Sequence, residues 1–352
     1  MNQASPMNRI VYFDIAKGIG ILAVLVGHSQ VSSALNDLIY SFHMPLFFIV
    51  SGYFISSNFQ TPRTFIAKKA KYFKYYVISW GLTIVLASLY GAISNAFGGR
   101  EYDVSQIIGY WVLAGVCGLG YHAQVSGTQL PSIGPMWFVL AMFWALALAE
   151  VYKGVRHPII LGGLISVLGL VLNCFLVLPF SIIEGLSASF FVALGYECKK
   201  SRYFQTASRR SKTICLCGAL AYLAVCLFFN VHIDMVSSSY PLLVIDYAGS
   251  SCCSICVLLA CRKLEGRIPS EGLLSSMGQK TLRILCVHNV EIDCFPWWLL
   301  AKACELIGLP QAFALLLACI RVMGAVLLTL FLDKGVKAEC TKRRFSRVIS
   351  NL

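Results

Sequence analysis

Three ionisable side chains, Asp14, Lys17 and His28, lie in the stretch RIVYFDIAKGIGILAVLVGHSQV from Arg9 to Val31, which is otherwise long and apolar enough to cross a bilayer. A lipid-facing helix would not carry them, so each must face protein or water. At about 100° per residue, the eleven steps from Lys17 to His28 make about three turns plus 20°, and the fourteen from Asp14 to His28 fall about 40° short of four turns. The three therefore share one helical stripe. An imidazole can serve as a general base near neutral pH, and a cation three turns away on the same face can bind an anionic group. Asp14 and Lys17 alone read as an ordinary i,i+3 ion pair, but that pairing leaves His28 unexplained.

A second apolar run, IYSFHMPLFFIVSGYFI from Ile39 to Ile55, follows a short polar turn at Ser32 to Asp37. A helical hairpin built on that turn places His28 and His43 at similar depth towards one side. Lys17 and the Ser51-Gly52 pair then share the other. On its own, His43 reads equally well as a residue that bonds a neighbouring carbonyl.

Composition bounds the elements that must position these groups. Of 352 residues, 58% are hydrophobic and only 13% charged, about half the charged share of an ordinary soluble protein. The predicted fold is all-α, a polytopic membrane protein of about ten transmembrane helices. Besides the first two runs, the apolar stretches are Tyr75 to Phe97, Met136 to Val151, Pro158 to Leu178, Ile182 to Tyr196, Ile214 to Asn230, Leu242 to Cys261, Leu282 to Leu300 and Ala312 to Leu332. They form one integral-membrane domain over residues 1–352, with short cytoplasmic tails at 1–8 and 334–352.

Threading ten spans with the amino terminus inside puts Pro62 to Lys74, Tyr152 to His157, Cys198 to Lys212, Arg262 to Arg267 and Lys334 to Leu352 on the cytoplasmic side. Together with Arg9 and Lys17 they hold 24 of the 29 Lys and Arg. That bias places both termini in the cytoplasm. It also accounts for the net charge of +13 through anionic lipid headgroups, without a nucleic-acid partner. The fifteen cysteines are scattered, mostly through the spans, and suggest packing residues rather than a metal site. The first apolar run is too long for a cleavable signal peptide and continues into the hairpin.

Three further places hold candidate chemistry. The Gly- and Ser-rich segment Gly98 to Pro135 contains an apolar stretch around Ile107 to Val116, and reads either as a surface loop or as a segment re-entering the outer face. After the second span, Lys68, Lys71 and Lys74 recur at helical spacing, a ridge suited to phosphates or to anchoring on the inner leaflet. Near the carboxyl end, MGQKTLRILCVHNVEID carries His288 into an outbound span with Glu291 one turn later.

These segments together resemble acyltransferase family 3, polytopic enzymes that transfer acyl groups, in bacteria often acetyl to surface carbohydrates. The resemblance runs through FDIAKGIGILAVLVGH at Phe13 to His28, SFHMPLFFIVSGYF at Ser41 to Phe54, the basic stretch Lys68 to Lys74, PMWFVLAMFW at Pro135 to Trp144, FFVALGYECKK at Phe190 to Lys200 and MGQKTLRILCVH at Met277 to His288. Within the family the second helix is worded most like the fucose 4-O-acetyltransferase-like branch. The resemblance implies a catalytic His28 with a basic residue eleven positions earlier, Lys17. It also implies a Phe-Phe-x-x-Ser-Gly element at Phe47, Phe48, Ser51 and Gly52, and a basic donor element at Lys68 and Lys71. Lysine replaces the commoner arginine there and forgoes the planar bidentate contact to phosphate.

The implied reaction is transfer of an acyl group, acetyl from acetyl-CoA, to a hydroxyl of a cell-surface or lipid-linked carbohydrate, at the bacterial inner membrane and without a metal. Coenzyme A phosphates would meet Lys17, Lys68 and Lys71 near the inner face, with Ser51 and Gly52 beside the donor. His28 would be the general base. Asp14 is the second candidate catalytic group, holding Lys17 or orienting the donor, while His43, Trp137 and His288 are candidates for the acceptor site. The rise from Lys17 to His28, about 16 Å at 1.5 Å per residue, suits the pantetheine arm. A transporter or flippase for a saccharide would also use a polar stripe. The absence of visible repeats and the basic segment beside the hairpin favour the enzyme.

The charge bias carries a topological expectation: reporters fused at both termini should read cytoplasmic, and reporters within 98–135 should read outside. A cytoplasmic reading for 98–135 would reverse the arrangement.

Overall fold

The computed structural model describes residues 10–97, 101–267 and 272–349, less the side chains of Lys71 and of residues 334–349; the expected tail at 1–8 lies outside the described residues. In chain order the helices are α1 Val11–Gly27, α2 Ser33–Tyr40, α3 His43–Tyr53, α4 Pro62–Ala96 and α5 Val104–Cys117, then a hairpin of β1 Ala123–Val125 and β2 Thr128–Leu130. A 3₁₀ turn at Gly134–Met136 leads into α6 Trp137–Tyr152, α7 Pro158–Asn173, α8 Ile182–Ser187, α9 Ser189–Lys200, α10 Tyr203–Thr206 and α11 Arg209–Phe229. The remainder comprises α12 Val244–Leu264, α13 Leu273–Gln279, α14 Thr281–Cys294, α15 Trp297–Leu306 and α16 Ala312–Ile349.

Among the described residues, six helical segments are long and apolar enough to cross a membrane: Ser33–Tyr53, Tyr72–Ala96, Gly134–Tyr152, Arg209–Phe229, Val244–Leu264 and Ala312–Asp333. Val104–Cys117 and Pro158–Asn173 are shorter apolar helices. Large apolar side chains on the outer faces are left bare, Phe228 at 82% and Phe331 at 75% exposure, as lipid-facing positions require. The chain is an all-α, multi-pass membrane protein.

Several apolar runs are interrupted, each for a local reason. The expected polar turn at Ser32 to Asp37 is instead largely helical, forming the start of α2, and the run from Ile39 to Ile55 breaks at Ser41 and Phe42. Pro45 has no N–H to return to the Ser41 carbonyl, so the helix restarts with the proline in its first turn. Between α14 and α15, Pro296 holds Phe295 extended at ψ 134°. The apolar stretch of the 98–135 segment is α5, capped by the Asp103 carboxylate at the Ser105 and Gln106 amides and ended by Gly118 at φ +61°. It packs on α4, where the Trp80 indole donates to the Trp111 carbonyl at 2.7 Å and the Tyr76 hydroxyl to that of Gly115 at 2.7 Å. The 35 residues of α4 span about 52 Å, more than a bilayer's hydrocarbon core, so its basic first turns project beyond it.

α1 runs through the middle, packed against α3, α12, α13, α14 and α16. Its contact with α13 depends on two glycines. A Cβ on Gly18 would strike the Leu274 carbonyl, and one on Gly278 the Asp14 carbonyl. The crossing of α3 and α9 is equally close, with Gly52 against Val192 and Gly195 against Ile49. Small residues allow such approach where water cannot drive helices together.

Gly278→Val should therefore destabilise the protein, by at least about 1–3 kcal/mol as overpacking does. Gly324, with nothing near its would-be Cβ, should accept Ala without loss. Thermal unfolding in one detergent would compare the two, and equal melting temperatures would remove the close crossing as a constraint.

Candidate active site

The stripe on α1 opens into two adjoining cavities. Lys17 and Ser51 line one of about 450 Å³, together with Lys69, Tyr72 and Gln279. Ile21, Val24 and His28, continuing along the same face of α1, line the other, of about 280 Å³. Phe47, Phe138, Thr281 and Leu282 border both. The Phe47 and Phe138 rings lie 5.6 Å apart, and Phe48 packs edge-on to Phe138 at 5.4 Å. The two cavities thus reach towards opposite ends of α1 and meet at an aromatic constriction.

In the larger cavity Lys17 pairs with Asp14 at 2.8 Å, which leaves Asp14 near the entrance, some fourteen residues of helix from His28. Asp14 thus lies with Lys17 and away from the imidazole. Lys69 borders the cavity half-buried between Phe65 and Tyr72, its ammonium 5.6 Å from the Tyr72 ring centroid. Lys68 is exposed one position away and does not line the cavity, while the Lys71 side chain lies outside the described residues. Gly52 turns towards α9 and provides the close crossing described above, so Ser51 alone of that pair borders the cavity.

In the smaller cavity His28 stands at the C-cap of α1, exposed to the cavity it lines, with no side-chain hydrogen bond among the described residues. His43 and Trp137 line the same space. The His43 Nδ1–H donates to the Ile39 carbonyl at 2.8 Å; a carbonyl only accepts, so the other ring nitrogen of neutral His43 is an acceptor. Trp137 is placed by the turn before α6, where the Met136 amide donates to the buried Asn289 side chain at 3.2 Å. Tyr40 and Asp234 complete the polar part of the wall. Asp234 belongs to a tight loop closed by paired backbone bonds with Ser239 at 2.9 Å, and Ser237 donates to its carboxylate at 2.7 Å. Beyond Tyr40, His232 and the buried Asp37 pair at 2.8 Å.

His288 does not line this cavity. It faces a third, apolar one of about 250 Å³ with Glu291, Trp297 and Arg321, and its ring centroid is 5.3 Å from that of His28. Glu291 binds His288 at 2.7 Å and Arg321 at 2.8 Å, and Arg321 also donates to the His28 carbonyl and, at 3.2 Å, to the Ser29 hydroxyl. Among the described residues no group of three or more His, Cys, Asp or Glu is placed to hold a metal ion.

Four wall residues lay outside the sequence expectation. Arg321 had a visible signal, a lone cation inside an apolar span that must find a partner. Lys69 was hidden by the i,i+3 pattern of its neighbours, and Tyr40 and Asp234 have no local pattern, since only the tertiary fold brings them to His28.

A stripe of Lys17 and His28 on a central helix, two cavities that share Phe47, Phe138, Thr281 and Leu282 in their walls, and an imidazole lining the second suit transfer of a group between two bound molecules. Comparison with known proteins agrees: residues 10–332 match the family model described as an acyltransferase domain. No curated protein and no solved structure matches the chain. By that match, which covers most of its length, the chain belongs to acyltransferase family 3.

Proposed function

We propose that the protein transfers an acyl group, acetyl in the first instance, from a coenzyme A thioester to a hydroxyl of a cell-surface or lipid-linked carbohydrate, with His28 as general base. The observation that carries this reading is the pair of cavities meeting at Phe47, Phe138, Thr281 and Leu282. One presents lysines and the other imidazoles, which is the division of labour that an anionic donor and a neutral acceptor need.

On this reading the larger cavity faces the cytoplasm, where acyl-CoA is found. Lys17 and Lys69 meet the donor phosphates, and the exposed Lys68 lies at the approach. Lysine binds phosphate as a point charge, without the fork of arginine. The pantetheine arm follows Ile21 and Val24 to the constriction, bringing the thioester carbonyl beside the smaller cavity. The sugar occupies that cavity against the Trp137 face, with Tyr40, His43 and Asp234 as hydrogen-bonding groups. A face of aromatic and apolar groups with a few polar ones suits a sugar ring, which has both.

The step balances without a further reactant. His28 takes the proton of the acceptor hydroxyl as its oxygen forms a bond to the thioester carbonyl carbon. The tetrahedral intermediate then expels the coenzyme A sulfur, which receives that proton from the imidazolium. Both termini are cytoplasmic on this reading, and the protein lies in a bacterial inner membrane. Lys280 agrees with the arrangement: its ammonium pairs with Asp333 at 2.6 Å, at the same end of the bundle as Lys17. The wording of the second helix points to a deoxysugar as acceptor.

Two outcomes test the reading in purified protein given radiolabelled acetyl-CoA and a saccharide acceptor. His28→Ala should reduce transfer about 10²- to 10⁴-fold, the range for losing a general base, with acyl-CoA binding retained. Transfer at the parent rate would remove His28 from the chemistry, and saccharide movement without transfer in the parent would favour a transporter. Lys69→Ala should raise the KM for acetyl-CoA several-fold with kcat little changed, and Lys68→Ala should raise it less. The reverse order would move the phosphate site to the outer ridge.

A further inference from the structure

Behind His28, three side chains, two of them buried and one half-buried, form a unit that the acyl-transfer reading leaves unused. Arg321 sits within the apolar α16 and is 7% exposed; His288 on α14 is 2% exposed. Glu291, one turn beyond His288, joins them, since its Oε1 accepts from His288 Nδ1 at 2.7 Å and forms an ion pair with Arg321 Nε at 2.8 Å. Arg321 in turn donates to the His28 carbonyl and the Ser29 hydroxyl, so one guanidinium fixes both the backbone of His28 and, through Glu291, the ring facing it.

Hydrogen-bond chemistry then sets the tautomer. An ionised carboxylate only accepts, so Nδ1 of neutral His288 carries the ring proton and Nε2 is left with a lone pair. That Nε2 is buried and has no partner. A buried acceptor without a donor is costly, and native structures seldom leave one without a reason. The ring of His28, 5.3 Å away between centroids and itself without a side-chain hydrogen bond among the described residues, has an N–H to offer. The tilt of 55° between the rings means that His28 must turn to make the bond.

We propose that His288 is the positioning residue for His28 in the acyl transfer: its Nε2 accepts the N–H of the His28 nitrogen remote from the acceptor, which leaves the lone pair on the nitrogen facing the acceptor hydroxyl. The inference rests on the reading of His28 as general base. Neutral imidazole has one N–H and one lone pair, and a free ring would divide its population between two tautomers, of which one can take the proton. Holding the bond to His288 selects the productive one. When His28 receives the proton, the same bond shares the charge with a neutral ring, and Glu291, already balanced by Arg321, keeps that ring's lone pair directed at His28.

The test uses three variants of the full-length protein and two readouts. His288→Leu keeps bulk and removes the acceptor; His288→Gln places an amide oxygen where Nε2 was; Glu291→Gln removes the charge and offers His288 an N–H as well as an oxygen, so that either tautomer is permitted. For protein that elutes as a single folded species, kcat should fall about 10- to 100-fold in His288→Leu and in Glu291→Gln, part of the worth of a general base. His288→Gln should recover most of the loss, and the KM for acetyl-CoA should stay at the parent value in all three. A packing role predicts the other order, with Leu tolerated at least as well as Gln. Independently of activity, ¹⁵N-histidine NMR should show His288 protonated at Nδ1 and bare at Nε2 in the parent, with the His28 ring nitrogens shifting in His288→Leu. A proton on Nε2, unmoved His28 nitrogens, or parent kcat in both His288→Leu and Glu291→Gln would overturn the inference. A parent protein that transfers no acyl group would instead remove the functional reading, and the nitrogen resonances would still decide whether His288 directs His28.

Discussion

A polar group carried into hydrocarbon must find its partner inside the protein, and much of this architecture follows from α1 carrying three of them. Asp14 and Lys17 satisfy each other at one end. His28, at the other, has its carbonyl taken by Arg321, whose own charge is met by Glu291. The second solution requires neighbouring helices at close range, and beside the first the glycines at 18 and 278 admit α13 against the helix backbone. Packing and chemistry are therefore one requirement here. Loosening the crossing of α1 and α13 would move the groups lining both cavities.

The broken helices have a related consequence. An uninterrupted helix presents its groups at fixed angles, whereas a break lets the chain redirect them. Pro45 ends one helical segment and starts another, which brings Tyr40 and His43 to the same cavity, their rings 4.9 Å apart. Pro296 turns the chain so that Trp297 covers Arg321, its ring centroid 5.5 Å from the guanidinium carbon, and its indole donates to the Glu291 carbonyl at 3.1 Å. The 3₁₀ turn before α6 serves Trp137 in the same way. The residues around His28 stand largely at helix ends, where side chains can point into a cavity.

How much of this was legible in the sequence depends on how local the determinant is. The spacing of Lys17 and His28 follows from one helix, so their shared stripe was readable from angle alone, whereas their division between two cavities was not. The shared depth of His28 and His43 required only one reversal of the chain, and survives the replacement of the expected turn by α2. The choice between Lys68 and Lys69 was not legible, because α4 rotates to suit Phe65, which packs against Phe143 at 5.5 Å, and rotation is a tertiary outcome. Gly52 shows the opposite limit. Its place in a short motif suggested a ligand, while the structure uses it to let α9 approach. Asp234 and Arg321 are separated from His28 by some two hundred residues or more, and no periodicity connects such distances.

The constriction at Phe47 and Phe138 has an electrical meaning as well as a steric one. If the two cavities open to opposite aqueous phases, as the proposed transfer requires, they thin the insulating layer between them, and the field across the membrane concentrates on the little material left. A full membrane potential of 100 mV is worth about 2.3 kcal/mol for each elementary charge carried across it. In the proposed transfer, a proton passing from an acceptor hydroxyl on one side of these rings to a departing sulfur on the other would cross part of that drop. The energised state of the cell would then enter the energetics of a reaction that consumes no ion gradient in its chemical equation.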